Sequence, residues 1–230
     1  TNSRTGAVVW DGALVLANYL AFSHRTLEGK TILDIGSGTG VVGLAASLLG
    51  ARVVLSDTPD VIPFLSHNCA LNRDAANVRG GAVAVAELEW SSFAAQGQTL
   101  ESSIGVSFTP LYGSSWGDPP SVCGNNTGGC GEPLALAPHS LDIVLVSECV
   151  FYPEGVAPLV GTLARLSREF MKSSGFMLVS IEHREGALNQ EAEQIFFKQI
   201  RGRFDVLKVA SGDFDPDWQS DDIGVWKLIP

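Results

Sequence analysis

Two rhythms of apolar positions alternate along this chain. Between residues 11 and 22 (DGALVLANYLAF) the hydrophobic side chains return every three or four places, which predicts an amphipathic helix. Residues 31–35 (TILDI) are a short apolar run that stops at glycines, the pattern of a strand buried on both faces. A small-residue helix is predicted over 40–49, closed by Gly50, and then a second strand at 52–56 (RVVLS). Pro59 suits the first turn of a helix reaching about Asn72, and a third strand follows at 82–86. The rhythm resumes with strands at 141–146 (LDIVLV) and 175–181 (GFMLVSI), and with helices over 155–172 and 188–200. A strand at 204–209 and an alternating run at 223–229 (IGVWKLI) close the chain as an antiparallel pair. Regular alternation of strand and helix predicts an α/β fold. Its sheet is doubly wound and Rossmann-like, with seven strands, mostly parallel, and an antiparallel last strand.

Residues 91–140 break the pattern. They are rich in Gly, Ser, Pro, Asn and Thr and carry little apolar period, so they read as one long surface insertion within a single domain spanning 1–230. Of the four cysteines, Cys123 and Cys130 flank a glycine-rich stretch inside that insertion and read as free thiols, with a bridge as the alternative in an oxidising compartment. Cys69 and Cys149 complete the set, and the spacing fits no zinc site, so no metal is expected. No run of about twenty apolar residues and no secretory leader pattern is visible, so the expectation is a cytoplasmic protein, with the nucleus as alternative. Net charge is −10 and no basic cluster stands out, which argues against nucleic acid and favours cationic partners.

Candidate chemistry concentrates at Asp34-Ile35-Gly36-Ser37-Gly38-Thr39-Gly40, between a strand and a helix. Glycines there let a ligand approach the backbone while the chain turns into the helix. Gly38, Gly40 and Gly43 also satisfy the dinucleotide spacing. A dinucleotide, however, would set its pyrophosphate beside the Asp34 carboxylate, which repels it. S-adenosylmethionine carries an ammonium and a sulfonium and no phosphate, so the acid suits it. Asp57, at the end of the second strand, can accept hydrogen bonds from ribose hydroxyls; its alternative task is to cap the helix starting at Pro59.

The segments Thr5-Gly-Ala-Val-Val-Trp10-Asp11-Gly-Ala-Leu, Leu33 to Gly40 and Ser56-Asp57 resemble the seven-β-strand protein-lysine methyltransferases over nearly the whole chain except 91–140. Within that family they are most similar to the branch that methylates the AAA-ATPase valosin-containing protein. The tail, Asp215-Pro-Asp-Trp-Gln-Ser-Asp-Asp-Ile223, takes part in the likeness. The resemblance implies a class I methyltransferase sheet that uses S-adenosyl-L-methionine and releases S-adenosyl-L-homocysteine. It implies a monomer acting on a lysine of a protein substrate, with an AAA-ATPase as candidate partner. By the same resemblance Trp10 lies over the cofactor, Gly36, Ser37 and Gly38 line its methionine end, Asp57 holds the ribose, Trp90 packs near the adenine and Ser147 touches the cofactor. For both tryptophans, core packing is the alternative.

Ser147-Glu148-Cys149-Val150-Phe151-Tyr152 follows the fourth strand, where ligands of open α/β sheets bind. The family pattern there is an Asp, two residues and an aromatic, usually Tyr; this chain has Glu148 and Phe151, with Tyr152 next. A lysine is protonated at neutral pH, so an acid must attract the ammonium and orient the amine. Glu148 is the candidate, and Phe151 and Tyr152 are candidate walls that stabilise a methylated cation. Tying down the loop is the alternative for Glu148. Glu182-His183-Arg184 resembles the family's Glu-Gln-Arg; the Glu182–Arg184 pair is expected to fix the substrate loop, and His183 to be structural. The acidic run Asp213 to Asp222 is either a lure for a basic segment or a solvated loop. A small-molecule methyltransferase and a silent cofactor-binding module remain open at this stage.

Overall fold

The computed structural model describes residues 5–96, 107–108 and 134–230. Seven strands of the described residues form one sheet: β1 (Thr31–Ile35), β2 (Arg52–Asp57), β3 (Ala82–Glu87), β4 (Leu141–Ser147), β5 (Met171–Glu182), β6 (Asp205–Lys208) and β7 (Ile223–Ile229). Their spatial order is β3-β2-β1-β4-β5-β7-β6. The first five run parallel, and β7 is antiparallel to both β5 and β6. The order reverses direction between β1 and β4, the crevice where doubly wound sheets bind ligands.

Alternation of side chains across the pleat divides the interior into two cores. Leu33, Ile35, Val144, Val146 and Val179 face one; Ile32, Val53, Leu55, Leu145 and Leu178 face the other. Helices α1 (Asp11–Ser23), α2 (Val41–Leu48) and α3 (Ile62–Val78) cover the second face. Helices α4 (Trp90–Gln96), α5 (Pro153–Glu169) and α6 (Ala187–Ile200) cover the first. Both sides of every central strand are therefore dry, which explains why those strands read as unbroken apolar runs.

Several boundaries differ from the sequence reading. Residues 58–61 turn before α3, with the Val61 N–H on the Thr58 carbonyl, so that helix starts at Ile62 and runs on to Val78. Helix α5 starts at Pro153 and ends at Glu169, and β5 begins already at Met171, where its pairing with β4 shifts register between Leu141 and Ile143. The stretch read as an insertion begins with structure. Residues 90–96 form α4, because Thr162 Oγ1 donates to the Trp90 carbonyl at 3.1 Å and the buried Arg165 donates to the Phe93 carbonyl at 2.8 Å. Ser107–Phe108 and Leu134–Ala135 pair as a short antiparallel ladder. Residues 136–140 lead into β4, while residues 97–106 and 109–133, with Cys123 and Cys130, lie outside the described residues. Among the described residues no helix is long and apolar enough to cross a membrane.

Candidate active site

The loop between β1 and α2 is held by its own backbone. Gly36 and Gly38 have φ of +62° and +54°, a region that costs other residues roughly 1–2 kcal/mol. Space is as demanding as conformation: a Cβ on Gly36 would stand 2.6 Å from Cys149 Sγ and 3.1 Å from the Trp90 ring. Ser37 braces the turn: its hydroxyl donates to the Asp34 carbonyl at 2.9 Å and accepts from the Ser56 N–H at 3.0 Å. Asp57 Oδ2 accepts from the Gly38 N–H at 2.8 Å, and its Oδ1 from the Thr58 N–H at 2.7 Å. Burial raises the Asp57 pKa above the usual carboxylate value.

Asp34 is 1% exposed, and its Oδ2 accepts from the Gly43 N–H at 3.0 Å, so the side chain ties β1 to α2. Burial pushes its pKa up to about 7 against the help of that N–H and of Ser37. A buried acid without a cation of its own fits a ligand that brings one.

The opposite wall is built from side chains. Glu148 sits at φ +55°, a conformation that costs a non-glycine residue roughly 1–3 kcal/mol and clusters at functional sites. Its backbone N–H reaches the Ser180 carbonyl on β5 at 3.1 Å, which fixes the turn after β4. Its side chain is 5% exposed, and Arg184 Nη2 donates to Oε2 at 2.5 Å. Burial pushes the Glu148 pKa up to about 7, with Arg184 opposing and Glu182 adding to the rise. Oε1 is buried with no hydrogen-bond partner among the described residues, and so is the hydroxyl of the preceding Ser147. Phe151 and Tyr152 meet edge to face, with ring centroids 4.2 Å apart, and Tyr152 stays 46% exposed.

These two walls enclose one cavity of about 530 Å³, within the range of roughly 300–1,000 Å³ typical of small-molecule sites. The residues proposed to bind the cofactor or to act on the acceptor lie on it: Trp10, Asp34, Gly36, Ser37, Gly38, Asp57, Trp90, Ser147, Glu148, Phe151 and Tyr152. The glycine cradle, two buried acids and two orphaned polar oxygens match the donors and charges of S-adenosylmethionine with an amine acceptor beside it. No group of metal-ligating side chains occurs among the described residues.

Arg184 is the main residue whose part the sequence understated. Its Nε donates to Glu182 Oε2 at 2.8 Å, its Nη2 to Glu148, and its guanidinium lies 4.6 Å from the Trp10 ring centroid. It therefore joins the end of β5 to the start of α1 across the cavity. Cys149 is the second omission; its buried thiol packs under the glycine loop. His183 is off the cavity, as expected: its Nδ1 meets Glu193 Oε2 at 3.0 Å and its ring stands edge-on to Trp226. The acidic tail does not line the cavity either.

Comparison with known proteins shows the family and the fold. The sequence profile of a family described as lysine methyltransferase matches residues 1–101 and 131–203. The zebrafish (Danio rerio) protein N-lysine methyltransferase METTL21A is 29% identical over 204 residues, covering 88% of this chain and 70% of its own. The mouse (Mus musculus) METTL21A is 39% identical over 108 residues, 47% of this chain and 46% of its own. The rat (Rattus norvegicus) histone-arginine methyltransferase METTL23 is 48% identical over 70 residues, 29% of this chain and 31% of its own. Among solved structures, the glycopeptide N-methyltransferase MtfA with S-adenosyl-L-homocysteine superposes with a TM-score of 0.54 at 13% identity. That match covers 93% of this chain and 86% of the other, a likeness of fold.

Proposed function

This chain belongs to the lysine methyltransferase family, whose members draw the methyl group from S-adenosyl-L-methionine, and from that premise we propose how its residues divide the work and what it methylates. The acceptor is a lysine of a protein substrate, for which an AAA-ATPase resembling valosin-containing protein is the candidate. The likeness of the Trp10 segment and of residues 215–223 to that branch supports the partner, and so does the net charge of −10, which favours a lysine-bearing surface.

Gly36, Ser37 and Gly38 receive the methionine end of the cofactor, and Asp34 sets a buried negative charge beside it. Asp57 takes the ribose hydroxyls, Trp90 flanks the adenine, and Ser147 and Trp10 close the remaining sides. When bound, S-adenosylmethionine supplies an electrophilic methyl carbon on a sulfonium. Glu148 attracts the lysine ammonium and orients the amine; Phe151 and Tyr152 wall the approach and favour a cationic product by cation–π contact. Excluding water at this wall lowers the amine pKa from about 10.4, so the ammonium releases its proton to solvent before transfer and presents its lone pair to the methyl carbon. The observation that carries this reading is the buried, strained Glu148, whose Oε1 lacks a partner on the same cavity as the glycine loop.

Arginine is the second acceptor to weigh, since the METTL23 relative is named a histone-arginine methyltransferase. Incubation with methyl-labelled S-adenosylmethionine and a cell extract, resolved on a gel, tests the proposal. A discrete labelled protein band that vanishes in Glu148→Ala supports it; label found only in small molecules overturns it.

A further inference from the structure

Glu148 is gripped from three sides. The left-handed backbone at φ +55° aims its side chain toward α1. Gly12 on α1 leaves room for the carboxylate, since a Cβ there would overlap Oε1. Arg184 takes Oε2 at 2.5 Å and is anchored in turn by Glu182 and by the face of Trp10. An arginine fork suits this duty because it stays charged across the accessible pH range and spans two carboxylates in one plane. The charges acting on Glu148 come from two directions: Glu182 and Arg184 at the end of β5, and Asp11 at the start of α1. The charges of Glu182 and Asp11 oppose its ionisation, while Arg184 and the backbone N–H of Glu182 favour it.

Resting on the reading of Glu148 as the group that meets the acceptor's cation, we infer that Arg184 is a positioning residue: it captures Oε2, draws Glu148 toward its carboxylate form and leaves Oε1 to receive the amine. Two features separate this from a mere brace between β5 and α1. One oxygen of Glu148 is engaged by Arg184, and the other is buried without a hydrogen-bond partner among the described residues. The guanidinium is also held by Glu182 and by the indole of Trp10, two anchors besides Glu148.

The test is ¹³C-carboxyl NMR titration of the full chain, with the Glu148 resonance assigned by its loss in Glu148→Gln. Wild type, Arg184→Met and Arg184→Lys are titrated, and each is checked by thermal melting. Arg184→Met is expected to raise the Glu148 midpoint by about one pH unit or more, a tenfold change in proton affinity. Arg184→Lys, which keeps the charge and loses the fork, is expected to raise it less. A folded methionine variant with an unmoved midpoint overturns the inference, because Arg184 would then have no hold on the charge of Glu148. Where the methionine variant does not fold, Arg184→Gln, which keeps hydrogen-bond donors and loses the charge, is titrated instead, and an unmoved midpoint there overturns the inference equally. The titration needs no substrate, so a wild-type protein that labels no lysine would sink the functional reading and leave this result standing.

Discussion

The two walls of the cavity are made in opposite ways. The cofactor wall is backbone: Gly36 and Gly38 at positive φ, the Ser37 brace, and the Gly38 N–H on Asp57, all within a few residues of the ends of β1 and β2. The acceptor wall is side chain: Glu148, Arg184 and Trp10, with Glu182 bonded behind Arg184, come from three separate parts of the chain and meet only in the fold. A wall of backbone tolerates almost no change in size, whereas a wall of side chains can be retuned by changing one partner together with another.

That contrast sets the order of expected effects. Gly36→Val strikes the backbone wall at a position with neither the conformation nor the space for a side chain. It should abolish measurable S-adenosylhomocysteine binding by calorimetry, a loss of about 100-fold or more, equal to roughly 2.7 kcal/mol. Glu148→Gln strikes the other wall. It should leave that affinity within about threefold while methyl transfer falls about 100-fold; parallel losses in both would erase the distinction between the walls.

Gly12→Ala sharpens the comparison. Alanine favours a helix by about 1 kcal/mol, yet its Cβ would displace the Glu148 carboxylate, so transfer should drop about tenfold in a protein that remains folded. Shortening the acid by one methylene in Gly12→Ala/Glu148→Asp should recover most of that loss, measured by label incorporation.

A smaller effect appears in stability. Glu148 and Asp34 both have folded-state pKa values raised to about 7 by burial. A raised acid adds stability that is complete below its unfolded pKa and is lost as pH rises through the folded one. Melting temperature should therefore fall between about pH 4.5 and pH 7, and Glu148→Gln should flatten part of that slope while Asp34 maintains the rest. The smallest effect is expected of Phe151→Tyr, which restores the aromatic usual in the resembling family. It should change transfer by less than about threefold, because the ring, more than its hydroxyl, walls the approach.

The same contrast explains what could be read in advance. The glycine loop, Asp57 and the strand ends are local in sequence, so their spacing alone located the cofactor wall. Glu148 was visible as an acid after β4, but its bond to Arg184 spans 36 residues, and neither its left-handed backbone nor the room left by Gly12 has a signature in the residue order. Helix α4 was hidden for a related reason. Residues 90–96 carry only Trp90 and Phe93 as large apolar groups, and their helix is fixed by Arg165 and Thr162 some 72 residues later. The boundary between α5 and β5 was blurred because Phe170 and Met171 are apolar in both and the register shift near Leu141 leaves no mark on the hydrophobic pattern.

The most direct measurement is amino-acid analysis of the labelled product. A protein labelled by this enzyme with methyl-labelled S-adenosylmethionine is hydrolysed in acid, and the radioactive residue is identified by chromatography. The account predicts that the label co-migrates with an Nε-methylated lysine. Recovery of the label as methylarginine, or as any residue other than lysine, would contradict it.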